Sequence, residues 1–276
     1  MDASLSEKLA RVERQLATYR RVLVAFSGGV DSTLLAKLAR DVLGKSQAPA
    51  VTADSPSLAR ADLDDAKQLA RTLDLEHLIL PTDEVRDPAY RLNTPARCYF
   101  CKGELFSELG HLAAARGVSH LLYGAIGDDR ASERPGQRAA TERGIHAPLQ
   151  EAGLAKWEIR EAAHALGLPN WNRPQNACLS SRIPHGLEVT EEKLSQIERA
   201  EAVLLERGFR QVRVRHLGTH ARIEVGTEEV ARFDDAALCE AVVLGLRAIG
   251  FASIGVDPAG YRAGGADALS QERRLL

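Results

Sequence analysis

Ser27-Gly28-Gly29-Val30-Asp31-Ser32 follows the apolar run Val22-Leu23-Val24-Ala25-Phe26 and opens a segment with apolar residues at helical spacing. A short β-branched strand, a glycine–hydroxyl turn and a helix together aim backbone N–H groups at an anion. Gly28 and Gly29 allow a tight turn and a close approach of the backbone, where a side chain would obstruct. A helix starting near Asp31-Ser32 turns its unpaired N–H groups and the positive end of its dipole towards the same point. The alternative is an ordinary strand-to-helix turn.

The rest of the chain sets that unit in a larger sheet. Leu5, Leu9, Val12 and Leu16 give an amphipathic first helix. Strands expected at 22–26, 50–53, 77–80 and 120–123 alternate with helices at 32–43, 61–73, 103–115 and 156–166. This order predicts an α/β domain with a parallel sheet covered by helices on both faces. Ligands in such sheets bind beyond the carboxyl ends of the strands, where SGGVDS, Thr52-Ala53-Asp54-Ser55 and Tyr123-Gly124-Ala125 emerge. Past Pro169 the rhythm changes. A capped helix from Thr190, a hairpin over 211–225, a helix near 235–249 and a strand near 251–256 predict a smaller α+β domain. The expected division is 1–170 for the nucleotide-binding domain and 171–186 for a linker loop carrying Cys178. It continues with 187–262 for the α+β domain and 263–276 for a flexible tail.

At 276 residues the chain is long enough for two cores. A net charge of −2 speaks against a protein held mainly on nucleic acid. No apolar run approaches the roughly 20 residues of a membrane span, and residues 1–20 mix acids and bases with no apolar centre. Four cysteines, two of them close-spaced, then read as thiol or metal chemistry in a cytoplasmic enzyme.

Among residues that can carry chemistry, Asp31 adds negative charge to an anion-binding turn. It either helps hold Mg²⁺ on a polyphosphate or is a first-turn acid favoured by the helix dipole. Ser27 and Ser32 supply hydroxyls, and Asp54 either accepts from a nucleoside or is an exposed loop acid. Cys98-Tyr99-Phe100-Cys101 places two thiols where a metal, a cluster or a disulfide can bridge them, or leaves them reduced beside Arg97 and Lys102. Cys239, among Leu238, Val242 and Val243, reads as core. Cys178 lies instead in the irregular stretch Ala177-Cys178-Leu179-Ser180-Ser181-Arg182-Ile183-Pro184-His185-Gly186, where Arg182 can favour a reactive thiol or steady a phosphate.

SGGVDS lacks the G-x-x-x-x-G-K-[ST] of kinases and GTPases and resembles the pyrophosphate loop of the PP-loop ATP pyrophosphatases, of the adenine nucleotide alpha hydrolase type. Further segments narrow the resemblance: Arg134 to Ala140, Ala147-Pro148-Leu149, Lys156 to Arg160, Leu166-Gly167-Leu168-Pro169, ACLSSRIPHG, Arg213 to His216, Ala221 to Val225 and Gly260-Tyr261-Arg262. In that succession the chain resembles the LarE family, ATP-dependent sulfur transferases that mature the nickel-pincer nucleotide cofactor of lactate racemase. One departure is the loop after the fourth strand. It is commonly Asp-Gly-x-Asn in the family and here reads Tyr123-Gly124-Ala125-Ile126, followed by Gly127-Asp128-Asp129. Gly124 can still approach the nucleotide through its backbone.

The resemblance implies ATP and Mg²⁺ as cofactors, with Ser27, Gly28, Gly29, Asp31, Ser32, Asp54 and Gly124 at the nucleotide. It implies that a carboxylate of pyridinium-3,5-biscarboxylic acid mononucleotide is adenylated with release of pyrophosphate, and that sulfur then displaces AMP to leave a thiocarboxylate. In the one-cysteine form, Cys178 gives up its own sulfur and becomes dehydroalanine. In the three-cysteine form, Cys98, Cys101 and Cys178 hold a [4Fe-4S] cluster with one iron open, the version preferred here. Arg213, Arg215 and Arg262 are candidates for the substrate phosphate, unless Arg213 and Arg215 are simply the solvated face of a strand. Glu201 and Glu224 fall where the family has acids near a subunit interface that can take metal, although alone they read as surface acids. A homo-oligomer is expected, with no nucleic acid and no membrane partner. A PP-loop tRNA-thiolation enzyme, an amide-forming ligase and a nucleotide-binding regulator are the competing readings.

Overall fold

The computed structural model describes residues 3–128, 135–174, 176–262 and 272–275. Asp129 and Arg134, both within segments singled out above, lie outside them. The chain divides into two compact units, one of residues 1–84 and 96–176, the other of residues 85–95 and 177–276.

In chain order the first unit runs α1 (Ala3–Thr18), β1 (Val22–Ala25), α2 (Val30–Leu43), β2 (Ala50–Asp54), α3 (Arg60–Thr72) and β3 (His77–Pro81). The short α4 (Pro88–Arg91) belongs to the second unit. The first unit then resumes with α5 (Arg97–Arg116), β4 (His120–Tyr123), α6 (Pro135–Glu142), α7 (Pro148–Glu151) and α8 (Lys156–Ala165). Its sheet is all-parallel in the order β3-β2-β1-β4, with Val24 opposite Ala50 and Leu122. Alternation along β1 sends Val22 and Val24 to one side, against Leu5, Leu9, Leu34, Leu38 and Ile159 of α1, α2 and α8. Leu23 and Ala25 go to the other side, against Phe106, Leu109 and Ala113 of α5. Helices thus cover both faces, as the strand–helix alternation predicts. α5 begins six residues earlier than expected, so the paired cysteines sit inside its first turns. Gly103 lies inside that helix, where a Cβ would come 3.2 Å from the Arg143 guanidinium.

The second unit contains α9 (Glu191–Leu205), β5 (Val212–Leu217), β6 (His220–Val225), α10 (Ala236–Ile249), β7 (Ser253–Val256) and β8 (Arg273–Leu275). β5 and β6 form an antiparallel hairpin, β6 pairs β7 in parallel, and β8 returns antiparallel to β7. Val214, Ile223, Val242, Leu246 and Ile254 lead its core, which includes Cys239. Two boundaries differ from the sequence-based division. Residues 85–95 go with the second unit because Asn93, fully buried, donates its side-chain amide to the carbonyls of Ile183, Pro184 and Leu187. Within the stretch expected as a tail, Arg273–Leu275 is a strand whose Leu275 enters the core.

His216 on β5 is buried, with Nε2 against the Gln196 side-chain oxygen Oε1 at 2.9 Å and Nδ1 without a partner. Burial, reinforced by the Lys193 charge, pushes its pKa down to about 4. The unfolded chain therefore takes up a proton that the folded one refuses between about pH 6.5 and 4, and stability falls as pH falls through that window. We expect urea unfolding of the second unit to lose about 2 kcal/mol between pH 7 and pH 5, a loss that the His216→Gln variant does not show.

Candidate functional site

The nucleotide end of the first unit is built on the turn between β1 and α2. Gly28 has φ +72°, a left-handed conformation that favours glycine, and a Cβ there would come 3.4 Å from Ala66. The hydroxyl of Ser32 donates back to the Gly29 carbonyl at 3.0 Å and lies 3.2 Å from the Ser27 hydroxyl. Thr33 donates to the same Gly29 carbonyl at 2.9 Å. The turn is also pinned from a distance. Asn170, buried and 142 residues away in sequence, donates to the Gly28 carbonyl at 2.9 Å and to the Thr33 hydroxyl at 3.0 Å. These bonds occupy the carbonyls of Gly28 and Gly29, while the Ser27 and Gly29 N–H groups donate to the Ser32 and Ser27 hydroxyls at 3.2 and 3.4 Å. The N–H groups of Val30, Asp31 and Ser32, in the first turn of α2, have no intrahelical partner.

Gly124, after β4, is required there by contact. A Cβ on it would lie 2.8 Å from the Ser32 backbone nitrogen and 3.0 Å from the Asp31 carbonyl carbon. The loop thus presses its backbone onto the start of α2; Ile126, at the position of the family's Asn, is buried beside Ala125, and Tyr123, at that of its Asp, is half-buried. Two acids at this end of the sheet carry cations. Asp31 is held by Lys156 Nζ at 2.7 and 2.8 Å, and Asp54 accepts from Arg60 at 2.5 Å. Neither Asn170 nor Lys156 stands out in the sequence, because their partners are more than a hundred residues away.

Cys98 is exposed and Cys101 half-buried at the start of α5, and neither forms a disulfide. Three residues apart on one helix, they share a face. α6 packs against that turn: a Cβ on Gly136 would lie 3.5 Å from the Cys98 carbonyl, and the Arg138 guanidinium stacks 4.4 Å from the Tyr99 ring centre. Arg97 is buried, and the Lys102 ammonium lies over the Phe106 ring at 5.7 Å.

In the second unit Cys178 is exposed and heads a 3-10 turn, Leu179–Arg182. The Arg182 guanidinium, 2% exposed, donates to the carbonyls of Ala177 and Cys178, to the Ser181 hydroxyl and to both carboxylate oxygens of Glu201. Its donors are taken up by protein groups, which corrects the reading of Arg182 as a thiol activator or phosphate ligand: it is the clamp that shapes the turn. Glu201 also accepts from the Val214 backbone N–H at 3.0 Å, tying the turn to α9 and β5. Arg215 donates to Glu224 at 2.6 and 3.0 Å and to the Ser181 carbonyl at 3.0 Å. Glu201 and Glu224 are therefore buried partners of arginines and not surface acids, and Arg215 is not on a solvated face. Tyr90 adds a hydroxyl contact to Ser180 beneath the same turn.

Arg213 and Arg262 stand differently. Arg213 stacks 5.3 Å from the Tyr261 ring centre, and burial followed by the charges of Arg182 and Arg215 lowers its pKa from the usual arginine value. Glu201 offsets part of that shift, and Arg213 also donates to the Val212 carbonyl at 2.6 Å. Arg262, half exposed, pairs with the buried Asp257 at 3.0 Å. Cys239 is no candidate for chemistry: its thiol donates to the Phe233 carbonyl at 2.9 Å, and burial raises its pKa. Within neither unit do three or more His, Cys, Asp or Glu side chains among the described residues group as a metal site.

A parallel sheet whose first strand ends in this glycine-rich anion cradle defines a PP-loop enzyme that uses ATP. The NAD synthase family model matches residues 5–104. Over nearly the full chain the sequence is 37% identical to pyridinium-3,5-bisthiocarboxylic acid mononucleotide synthase of Lactiplantibacillus plantarum, covering 95% of this chain and 94% of that protein. It is 44% identical to an uncharacterised protein of Synechocystis sp., covering 94% and 97%. A component of the glutamine-hydrolysing GMP synthase of Methanosphaerula palustris is 30% identical over 69% of this chain and 65% of its own length. The chain belongs to the LarE family. It is an ATP-dependent transferase, with ATP and Mg²⁺ as the cofactors of its class. No helix among the described residues is long and apolar enough to cross a membrane.

Proposed function

We propose that the protein is a cytoplasmic, homo-oligomeric sulfurtransferase that converts a carboxylate of pyridinium-3,5-biscarboxylic acid mononucleotide to a thiocarboxylate. In the first step a substrate carboxylate oxygen attacks the α-phosphorus of ATP. The bond from that phosphorus to the β-phosphate bridging oxygen breaks, and pyrophosphate leaves. The N–H groups in the first turn of α2, Val30 to Ser32, receive the developing charge of the leaving group. Mg²⁺ fits the site through the Asp31 carboxylate, a hard oxygen donor at the mouth of the turn, and when bound it would neutralise the pyrophosphate. In the second step a sulfur nucleophile attacks the acyl carbon and AMP departs. Arg213 and Arg262 hold the substrate phosphate in this reading. Arg215, whose fork is already engaged by Glu224 and the Ser181 carbonyl, positions the Cys178 turn instead.

The observation that carries this reading is the exposed Cys178 on a turn whose carbonyls are clamped by buried arginine. An amide-forming ligase or a nucleotide-binding regulator has no use for such a thiol. For the sulfur source we favour Cys98, Cys101 and Cys178 as ligands of a [4Fe-4S] cluster. The donor set suits it: three thiols outside disulfides, while Cys239 is committed to the Phe233 carbonyl. Bound in this way, the cluster would offer one iron without a cysteine ligand as a carrier of sulfide. In the sacrificial alternative the Cys178 thiolate attacks the acyl carbon, a base removes its Cα proton, and the Cβ–S bond breaks to leave dehydroalanine.

Anaerobic purification followed by turnover with ATP and the pyridinium substrate tests the proposal. The expected result is brown, iron-bearing protein whose intact mass is unchanged after thiocarboxylate forms. Colourless protein that loses about 34 Da, the elements of H₂S from one cysteine, would transfer the role to Cys178 alone. Bound zinc at the cysteines, or no thiocarboxylate under either condition, would overturn the assignment.

A further inference from the structure

Lys156 and Asp31 are 125 residues apart in sequence, yet the ammonium sits astride the carboxylate, 2.7 Å from one oxygen and 2.8 Å from the other. The start of α8 does not need this contact. The Lys156 backbone nitrogen already donates to Asp128 at 2.7 Å, and the Ala155 nitrogen to Glu158 at 2.8 Å. Glu158 is in turn held by Lys8 at 2.7 Å. The loop that presents Asp128 is also fixed without Nζ: the Gly127 nitrogen donates to the Leu154 carbonyl at 2.7 Å, and Gly124 packs on the backbone of Asp31 and Ser32. The backbone therefore brings the beginnings of α2 and α8 together, and the ammonium is a charge delivered to the anion cradle rather than a fastener of the fold.

We propose that Lys156 is a phosphate-binding residue kept in reserve on Asp31 and released to the ATP polyphosphate when Mg²⁺ takes over the carboxylate. The inference rests on the reading of this turn as the ATP site. Both side chains are about a third or less exposed, 32% for Lys156 and 27% for Asp31, so water reaches the pair and its attraction is modest. A divalent cation displaces a single ammonium from a carboxylate readily under those conditions. Lysine suits the exchange, being a point charge on a flexible four-carbon stem with three donors. Before ATP arrives the two charges cancel. A polyphosphate without metal then meets a neutral mouth, whereas a polyphosphate carrying Mg²⁺ meets a freed cation. The pair thereby couples metal binding to phosphate binding.

Calorimetry of ATP binding to the full chain, without the pyridinium substrate and so without turnover, tests this in excess EDTA and in MgCl₂. Asp31→Asn releases the ammonium without metal, and this variant should bind metal-free ATP about tenfold tighter than the wild type. Lys156→Met should bind Mg·ATP about tenfold more weakly, and Asp31→Asn combined with Lys156→Met should lose the metal-free gain. A lysine-acylating acyl phosphate of ATP gives a second readout that bulk charge does not move. It should modify Lys156 in the wild type only with Mg²⁺, and in Asp31→Asn without it. Metal-free binding by Asp31→Asn no tighter than wild type, or equal Lys156 modification in EDTA and Mg²⁺, would overturn the proposal while leaving the ATP site standing. A wild-type chain that binds no Mg·ATP at all would remove the site and the proposal together.

Discussion

Replacing Cys178 with alanine is expected to lower thiocarboxylate formation by at least about a thousandfold, while ATP binding and substrate-dependent pyrophosphate release stay near the wild-type level. The split follows from where the residue stands. Cys178 is exposed at the head of the 3-10 turn, and the groups that Arg182 holds there are the carbonyls of residues 177 and 178, not the thiol. Alanine keeps those carbonyls and the turn, so only the sulfur is lost. The adenylation machinery rests on residues 27–32, Gly124 and Asn170 of the first unit, which the substitution does not touch. Pyrophosphate release and thiocarboxylate yield, measured on one sample, read the two steps separately. Cys98→Ala and Cys101→Ala then divide the two sulfur sources. Both variants lose repeated turnover if the three cysteines share a cluster, and both retain a single turnover if Cys178 supplies its own sulfur. Full sulfur transfer by Cys178→Ala would remove the proposed chemistry.

The parallel sheet and the anion cradle are legible in the sequence because both are local signals. Strand and helix periods repeat within a few residues, and Gly28 and Gly29 mark a backbone need that lies within the turn itself. What escapes sequence reading is set by partners far along the chain. Asn93 looks like any polar loop residue, yet its amide gathers three carbonyls near residue 185 and carries residues 85–95 into the second unit. Glu201, Glu224 and Arg215 read as solvated because an isolated charge is rarely buried; only the fold shows that each has its counter-charge within 3.1 Å. Arg182 misleads in the same way, since a guanidinium beside a thiol suggests activation until its donors are accounted for. Lys156 and Asn170 belong to the same group, for their roles depend on Asp31 and Gly28, more than a hundred residues away along the chain.

The charge network beneath the Cys178 turn gives the largest expected effect on stability. Arg182→Met strands the Glu201 carboxylate in a buried site and releases two main-chain carbonyls, and the loss should be about 3–5 kcal/mol. Both tryptophans, Trp157 and Trp171, lie in the first unit, so their fluorescence does not follow the event. Amide exchange at β5, where the Val214 N–H bonds to Glu201, reports it directly. Arg182→Lys should recover little, because one ammonium cannot reach both Glu201 oxygens and the Cys178 carbonyl as the planar fork does. Arg182→Met combined with Glu201→Leu should recover part of the loss. Removing both charges ends the desolvation penalty on the stranded acid, but the Val214 N–H still lacks its acceptor. The turn would then be folded yet unclamped, so sulfur transfer should stay depressed even where stability returns. If Arg182→Met cost less than about 1 kcal/mol, the guanidinium would not be the clamp that its hydrogen bonds describe, and the shape of the Cys178 turn would have to come from Arg215 and Tyr90 alone.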